Sequence, residues 1–115
     1  MLRSEIRELV EAVLPLIANK YGKDMPYPFK YNVDKPRKAE NGDFSVDCAF
    51  QLSRIYHRSP WDLAQDMVHL LNLEIENNQE KKALIESIEP ARPGFVNFTM
   101  KPIAWMRVVR GRDLG

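Results

Sequence analysis

The spacing between apolar residues changes several times along this chain, and the order of these changes limits the fold. Intervals of three and four residues are typical of an amphipathic helix, whereas alternation is typical of a half-buried strand. In the first half of the chain the predicted elements are a helix over 3–21, an edge strand over 26–33, a strand over 43–47 and a helix from 49. In the second half they are a helix from 59, a polar connection over 72–82, strands over 84–89 and 95–100, and a last helix from 102. In this last helix, the residues expected to face inward are Ile103, Met106 and Val109. Because no regular βαβ repeat occurs, we expect an α+β fold, a two-layer domain with helices packed on one face of a small, mainly antiparallel four-stranded sheet.

The helix boundaries carry specific local signals. Ser59 and Pro60 are expected as the N-cap and first residue of a helix, with Asp62 completing a capping box. Gly22 is expected to end the first helix. Pro15 lies inside that helix, where a proline removes a backbone hydrogen bond, so we expect either a bend before it or a helix that restarts at it.

The last strand carries a specific packing prediction. Residues 95–98 read Phe-Val-Asn-Phe, and we expect alternate residues of this strand to enter the core. Val96 and Phe98 should therefore be buried. Gly94 is expected to permit the tight turn that precedes the strand.

Composition limits the class of protein and its partners. The 115 residues suit one domain, and a formal charge of +1 gives no general attraction to nucleic acid or membranes. Any anionic partner must then be held by a local patch. The single cysteine, Cys48, is expected in the core, and one unpaired thiol fits the reducing cytoplasm. Neither a signal peptide nor a membrane-spanning run is recognisable, so we expect neither export nor membrane insertion.

The residues that commonly carry catalysis form no familiar motif here. His57 and His69 are twelve positions apart without neighbouring ligands, and no glycine-rich phosphate loop occurs. Asp43 and Asp47 are four positions apart, a spacing that fits a turn and a helix cap better than a pair of catalytic acids. The residues alone therefore predict no catalytic residue and no metal site, and they favour a binding module.

Basic residues cluster around one aromatic residue, Phe44, and the clusters have two interpretations. They are Lys35, Arg37 and Lys38 before it, Arg54, His57 and Arg58 after it, and Arg92 in the last turn. One interpretation is that they are ordinary solvated loops. The other is that they hold phosphates around an aromatic ring on which an unstacked base rests.

Three short motifs occur in order along the chain. They are Gly-Asp-Phe-Ser-Val-Asp-Cys-Ala at 42–49, Ser-Pro-Trp-Asp-Leu-Ala at 59–64 and Pro-Gly-Phe-Val-Asn-Phe at 93–98. Together they resemble the N-terminal additional domain of arginyl-tRNA synthetases, which typically has Gly-Asp-aromatic-x-x-Asn-x-Ala, then a proline-led helix start, then Pro-Gly-Phe-Ile-Asn-Phe. The resemblance covers about residues 1–110, so that 111–115 would be a truncated linker.

The resemblance implies an α+β fold and a role in recognising tRNA. In that family the domain contacts the outer corner of the tRNA, where the base at D-loop position 20 is turned towards it. Carried over to this chain, Phe44 would stack or pack against the base, although a plain core position is the alternative. Asp47 would stand where the family has asparagine, and because an ionised carboxylate cannot donate, the contact could shift to Gln51. The candidates for backbone contacts are Lys35, Arg37, Lys38, Arg54 and Arg58.

The resemblance also implies partners that lie outside these residues. The nucleotide-binding motifs of the family's catalytic domain are absent from the 115 residues, so the chain is expected to be a fragment that cannot activate arginine. We expect no cofactor in this chain, whereas the parent ligase would use ATP and Mg²⁺. The expected partners are tRNA(Arg) and the catalytic domain of the same polypeptide. We expect the protein to be a monomer. The alternative is a free-standing relative acting as an RNA-binding or protein-interaction module, with Tyr27, Phe29 and Tyr31 as an exposed edge.

Overall fold

A computed structural model describes residues 2–26 and 28–106 of the chain. The elements are α1 (Leu2–Tyr21), β1 (Val33–Asp34), a short 3₁₀ helix (Ala39–Asn41), β2 (Phe44–Val46), α2 (Cys48–Tyr56), α3 (Pro60–Glu76), α4 (Gln79–Leu84), β3 (Ile85–Ala91) and β4 (Phe95–Met100). Residues 102–106 are also helical. A helix from 102 is therefore confirmed, but the prediction that its apolar residues face inward is wrong for Ile103 and Met106, which are 60% and 56% exposed. Val109, the third residue of that prediction, lies outside the described residues.

The four strands form one antiparallel sheet in the order β1-β2-β4-β3. Opposite Phe98, Asn97 and Val96 of β4 lie Phe44, Ser45 and Val46 of β2. The outer residues of each triplet are buried, whereas Ser45 and Asn97 are only partly so. Helices thus cover one face of the sheet and leave polar residues on the other, which confirms the predicted two-layer α+β domain and the burial of Val96 and Phe98.

The core lies between the sheet and the buried stripes of α1, α2 and α3. Fully buried side chains come from both layers; they include Ile6, Leu9, Leu52, Leu63, Met67, Val96 and Phe98. Ser59 caps α3 as predicted, because its Oγ accepts the backbone N–H of Asp62 at 3.1 Å.

The first helix runs unbroken through Pro15, so the predicted restart at this residue is wrong. Pro15 itself is exposed, but Val13, Leu14 and Ile17 around it are buried. Burial of this face on both sides of the proline outweighs one lost backbone hydrogen bond. Gly22 ends the helix as expected, with φ of +66°.

Two other predicted segments differ from the structure. The strand expected over 26–33 is reduced to β1, because prolines in this segment cannot donate to a sheet ladder. Tyr31 is instead buried, and its hydroxyl donates to Glu11 at 2.8 Å.

The connection expected over 72–82 is mostly helical, because Ile75 and Lys81 are buried there and Asn78 caps α4. The segment 72–82 is rich in charged residues, so its sequence alone did not indicate that Ile75 and Lys81 are buried.

Candidate nucleic-acid interface

A groove lies on the sheet face that the helices leave uncovered. It has a volume of about 490 Å³ and forms where β2 and β4 meet the segment after β1 and the turn between β3 and β4. Its lining includes Lys35, Arg37, Ser45, Arg92, Phe95 and Asn97. An aromatic ring, an amide, a hydroxyl and three cations therefore share one concave surface.

Phe95 is the exposed aromatic residue of the groove. Its side chain is 36% exposed, although the next residue of β4 is fully buried. The ring of Phe50 from α2 meets it edge-on, with centroids 5.0 Å apart and an interplanar angle of 72°. Phe95 thus packs against another ring while part of its own surface stays open to solvent.

Asn97 supplies an unsatisfied polar atom at the centre of the sheet. Its Oδ1 is buried and has no hydrogen-bond partner among the described residues. A buried acceptor without a partner is destabilising, so a ligand that donates a hydrogen bond there would remove that penalty. Gln51 Oε1 is also buried without a described partner, but Gln51 does not line the groove.

Asp47, which was predicted to face the base, lines the groove, and its carboxylate already accepts hydrogen bonds from Asn32. Its Oδ1 accepts the backbone N–H of Asn32 at 2.7 Å, and its Oδ2 accepts the Asn32 side-chain amide at 2.9 Å. The backbone N–H of Asp47 donates to the Asn32 carbonyl at 3.2 Å. These bonds fasten the segment before β1 to the start of α2, so the clearest role of Asp47 is to shape the groove wall.

Phe44 lies on the opposite, helix-covered face of the sheet. Its side chain is only 4% exposed, its ring stacks on Trp105 with centroids 5.9 Å apart, and the Arg3 guanidinium lies 5.6 Å from its centroid. Little of the ring is accessible to a base. Of the two roles considered for Phe44, the structure favours the core position.

The predicted backbone cations separate into two groups. Lys35 and Arg37 line the groove, and Lys38 follows them at the start of the 3₁₀ helix. Arg54 and Arg58 lie at the other end of α2 from Asp47, where the Arg58 guanidinium is 5.4 Å from the Tyr21 ring centroid.

Arg92 contributes the third cation of the groove. Its guanidinium lies 4.2 Å from the centroid of the Trp61 ring, at the start of α3. From the sequence, Arg92 was one of the basic residues grouped around Phe44, but it was not among the candidates for backbone contacts. Phe95 and Asn97 were not candidates either, although the alternation Phe-Val-Asn-Phe with Val96 and Phe98 buried already implied that they face the other side.

The ionisable groups with altered pKa values lie in the core or at its edge. Burial raises the pKa of the Cys48 thiol to about 12, so this thiol stays neutral and unreactive at neutral pH. Burial and the hydrogen bond to Asp66 raise the pKa of Tyr21 to about 12. Within 2–26 and 28–106, no group of three His, Cys, Asp or Glu side chains is placed to hold a metal ion. None of the helices described there is both long and apolar enough to cross a membrane.

The fold is a small α+β domain with a groove on its open sheet face, and the lining of this groove includes three cations together with Asp34 and Asp47. Residues 2–100 match the family model of the arginyl tRNA synthetase N terminal domain. The chain belongs to this family, as the three sequence motifs indicated.

Individual relatives agree with this assignment. An arginine–tRNA ligase of Desulfotalea psychrophila is 32% identical over 109 residues, covering 95% of this chain and 18% of the relative. One of Citrifermentans bemidjiense is 38% identical over 82 residues, covering 71% of this chain and 14% of the relative. One of Thiobacillus denitrificans is 31% identical over 109 residues, covering 95% and 17%. The chain thus spans less than a fifth of the length of these relatives.

Proposed function

We propose that this domain binds the D-loop corner of tRNA(Arg) and accepts the base at position 20 in the groove beside Phe95. It does so as part of an arginine–tRNA ligase in the cytoplasm. The catalytic domain of that ligase, in the same polypeptide, joins arginine to the tRNA with ATP and Mg²⁺. The observation that carries the proposal is the pairing of an exposed ring, Phe95, with an unsatisfied amide, Asn97, in one groove lined by cations.

Each part of the groove matches one part of a nucleotide. Phe95 offers a ring surface on which a base can stack, and stacking does not depend on which base it is. Asn97 adds selectivity, because an amide presents both a donor and an acceptor to a base edge. Lys35 and Arg37 lie on the same surface, and in this proposal they contact the phosphates on either side of the base.

The two residues first predicted to touch the base take supporting roles in this proposal. Phe44 packs beneath β2 and holds the sheet in place, and Asp47 fixes the groove wall through Asn32. Gln51 stays in α2, away from the groove lining. Arg54 and Arg58 do not line the groove, so in this proposal any contact they make is with another part of the tRNA.

Affinity measurements with two RNAs test the proposal. tRNA(Arg), and a version changed only at D-loop position 20, are titrated into wild type and Phe95→Ala. We expect wild type to prefer the unchanged tRNA, and Phe95→Ala to lose roughly 1–3 kcal/mol of binding free energy together with most of that preference. Phe44→Leu, which keeps an apolar side chain under β2, is the control and should retain the preference.

The proposal fails under either of two results. In one, wild type binds the two RNAs equally. In the other, a folded Phe95→Ala variant discriminates as well as wild type does. Circular dichroism spectra establish that each variant is folded before its affinity is compared.

The alternative of a protein-interaction module loses its main support. Tyr31 of the proposed aromatic edge is buried, and Phe29 packs against the core. Tyr27, the third residue of that edge, lies outside the described residues. Phe29 and Tyr31, two of the three side chains expected to offer an exposed edge, are therefore used within the domain.

A further inference from the structure

The backbone that carries Arg92 is packed against the start of α3. There, a Cβ added to Gly94 would lie 2.6 Å from the Cβ of Pro60. Pro60 in turn is the first residue of a helix capped by Ser59. The backbone beside Arg92 is therefore fixed relative to α3 by direct contact.

The side chain of Arg92, although exposed, also contacts the start of α3. Its guanidinium lies 4.2 Å from the Trp61 ring centroid, which is within the range of a close cation–π contact. No carboxylate in the described part of the chain makes an ion pair with it. A guanidinium held by its face on an aromatic ring keeps the N–H groups at its edge free to bind an anion.

We propose that Arg92 binds a phosphate next to the base accepted in the groove, and that Trp61 is the positioning residue that holds its guanidinium there. The inference rests on the proposed function, because the phosphate belongs to the nucleotide beside Phe95. Arg92 and Phe95 line the same groove. A planar guanidinium contacts two phosphate oxygens at once, which suits a fixed position better than a flexible lysine does.

Holding the side chain before binding has a physical consequence. A long, flexible cation loses conformational freedom when it binds a phosphate, and this loss weakens the contact. In this proposal, the contact with Trp61 removes part of that freedom from Arg92 before the RNA binds. Removal of the Trp61 ring should therefore weaken binding through Arg92 alone, even though Trp61 does not touch the RNA.

A double-mutant cycle tests this coupling with tRNA(Arg) as the probe. Wild type, Arg92→Ala, Trp61→Leu and the double variant are titrated at about 50 and about 200 mM salt, and Trp61→Phe serves as the conservative variant. We expect Arg92→Ala to weaken binding by roughly three- to tenfold at the lower salt and to reduce the salt slope by about one unit. Trp61→Leu should approach the same loss in affinity, the double variant should bind no worse than Arg92→Ala, and Trp61→Phe should restore most of the affinity.

Two controls separate the possible causes. Lys82→Ala removes an exposed cation of α4, away from the groove, and should leave affinity and slope nearly unchanged. Thermal unfolding of each variant identifies effects on stability. If Trp61→Leu lowers the melting temperature but binds as wild type does, Trp61 only supports the fold and the inference is wrong.

The outcomes also distinguish this inference from the proposed function. If Phe95→Ala loses discrimination at position 20 while Arg92→Ala keeps wild-type affinity and slope, the groove binds the base and Arg92 does not bind phosphate. If the single losses of Arg92→Ala and Trp61→Leu simply add in the double variant, the positioning role of Trp61 is wrong. If wild type does not distinguish the two RNAs, the proposed function fails, and this inference fails with it.

Discussion

At the residue scale, two phenylalanines of neighbouring strands have opposite environments. Phe44 of β2 is 4% exposed under the helices, whereas Phe95 of β4 is 36% exposed on the groove side. Strand alternation alone produces this difference, because a shift of one position moves a side chain to the other face. An aromatic residue within a family motif is therefore assigned to binding or to packing only after the covered face of the sheet is known.

Truncation of Phe98 tests the core face of the sheet. Phe98 is fully buried in β4 and lies opposite Phe44. We expect Phe98→Ala to reduce the free energy of unfolding by roughly 3–5 kcal/mol, because it removes a buried ring and leaves a cavity. Urea denaturation measures this loss. Phe95→Ala in the same strand is the matched control and should cost much less, since part of its ring is already in water; comparable losses would contradict the assignment of faces.

At the element scale, the chain encodes some structures locally and others only through packing. The start of α3 at Ser59 and the alternation in β4 depend on neighbouring residues, so both were predictable. The short β1 and the helix α4 were not, because they depend on the burial of Tyr31 and Lys81 by distant segments. The site divides in the same way: Lys35 and Arg37 were recognisable as a basic loop, but Phe95 and Asn97 required knowledge of which sheet face the helices cover.

Ser59 provides a test of a locally encoded element. Its Oγ accepts the Asp62 backbone N–H at 3.1 Å, so Ser59→Ala leaves a helix N–H without this partner. We expect a loss of roughly 1 kcal/mol in the free energy of unfolding, measured as a lower denaturation midpoint. Ser4→Ala, an exposed change within α1, is the control and should not destabilise the protein. An unchanged midpoint for Ser59→Ala would refute the capping assignment.

At the scale of the whole molecule, the helices and the proposed binding surface occupy opposite sides of one thin sheet. A net charge of +1 provides little long-range attraction to RNA, so the proposed binding depends on three cations in one groove, whose lining also includes Asp34 and Asp47. With few phosphate contacts, the domain alone should bind tRNA weakly and with a shallow salt dependence. The relatives are more than five times as long as this chain, so under the proposed function the domain adds discrimination to affinity supplied elsewhere.

The most direct test of the proposed base-binding groove is to observe the open sheet face while tRNA binds. Two-dimensional NMR spectra of the ¹⁵N-labelled domain, with the Asn97 side-chain amide assigned through Asn97→Ala, are recorded during titration with tRNA(Arg). If the groove accepts the base at position 20, this amide signal should shift with tRNA(Arg), as should the backbone signals of Ser45, Phe95 and Asn97. The same signals should shift much less with the position-20 variant. Shifts confined to the Tyr21 and Arg58 end of α2, with the Asn97 amide unchanged, would contradict this proposal.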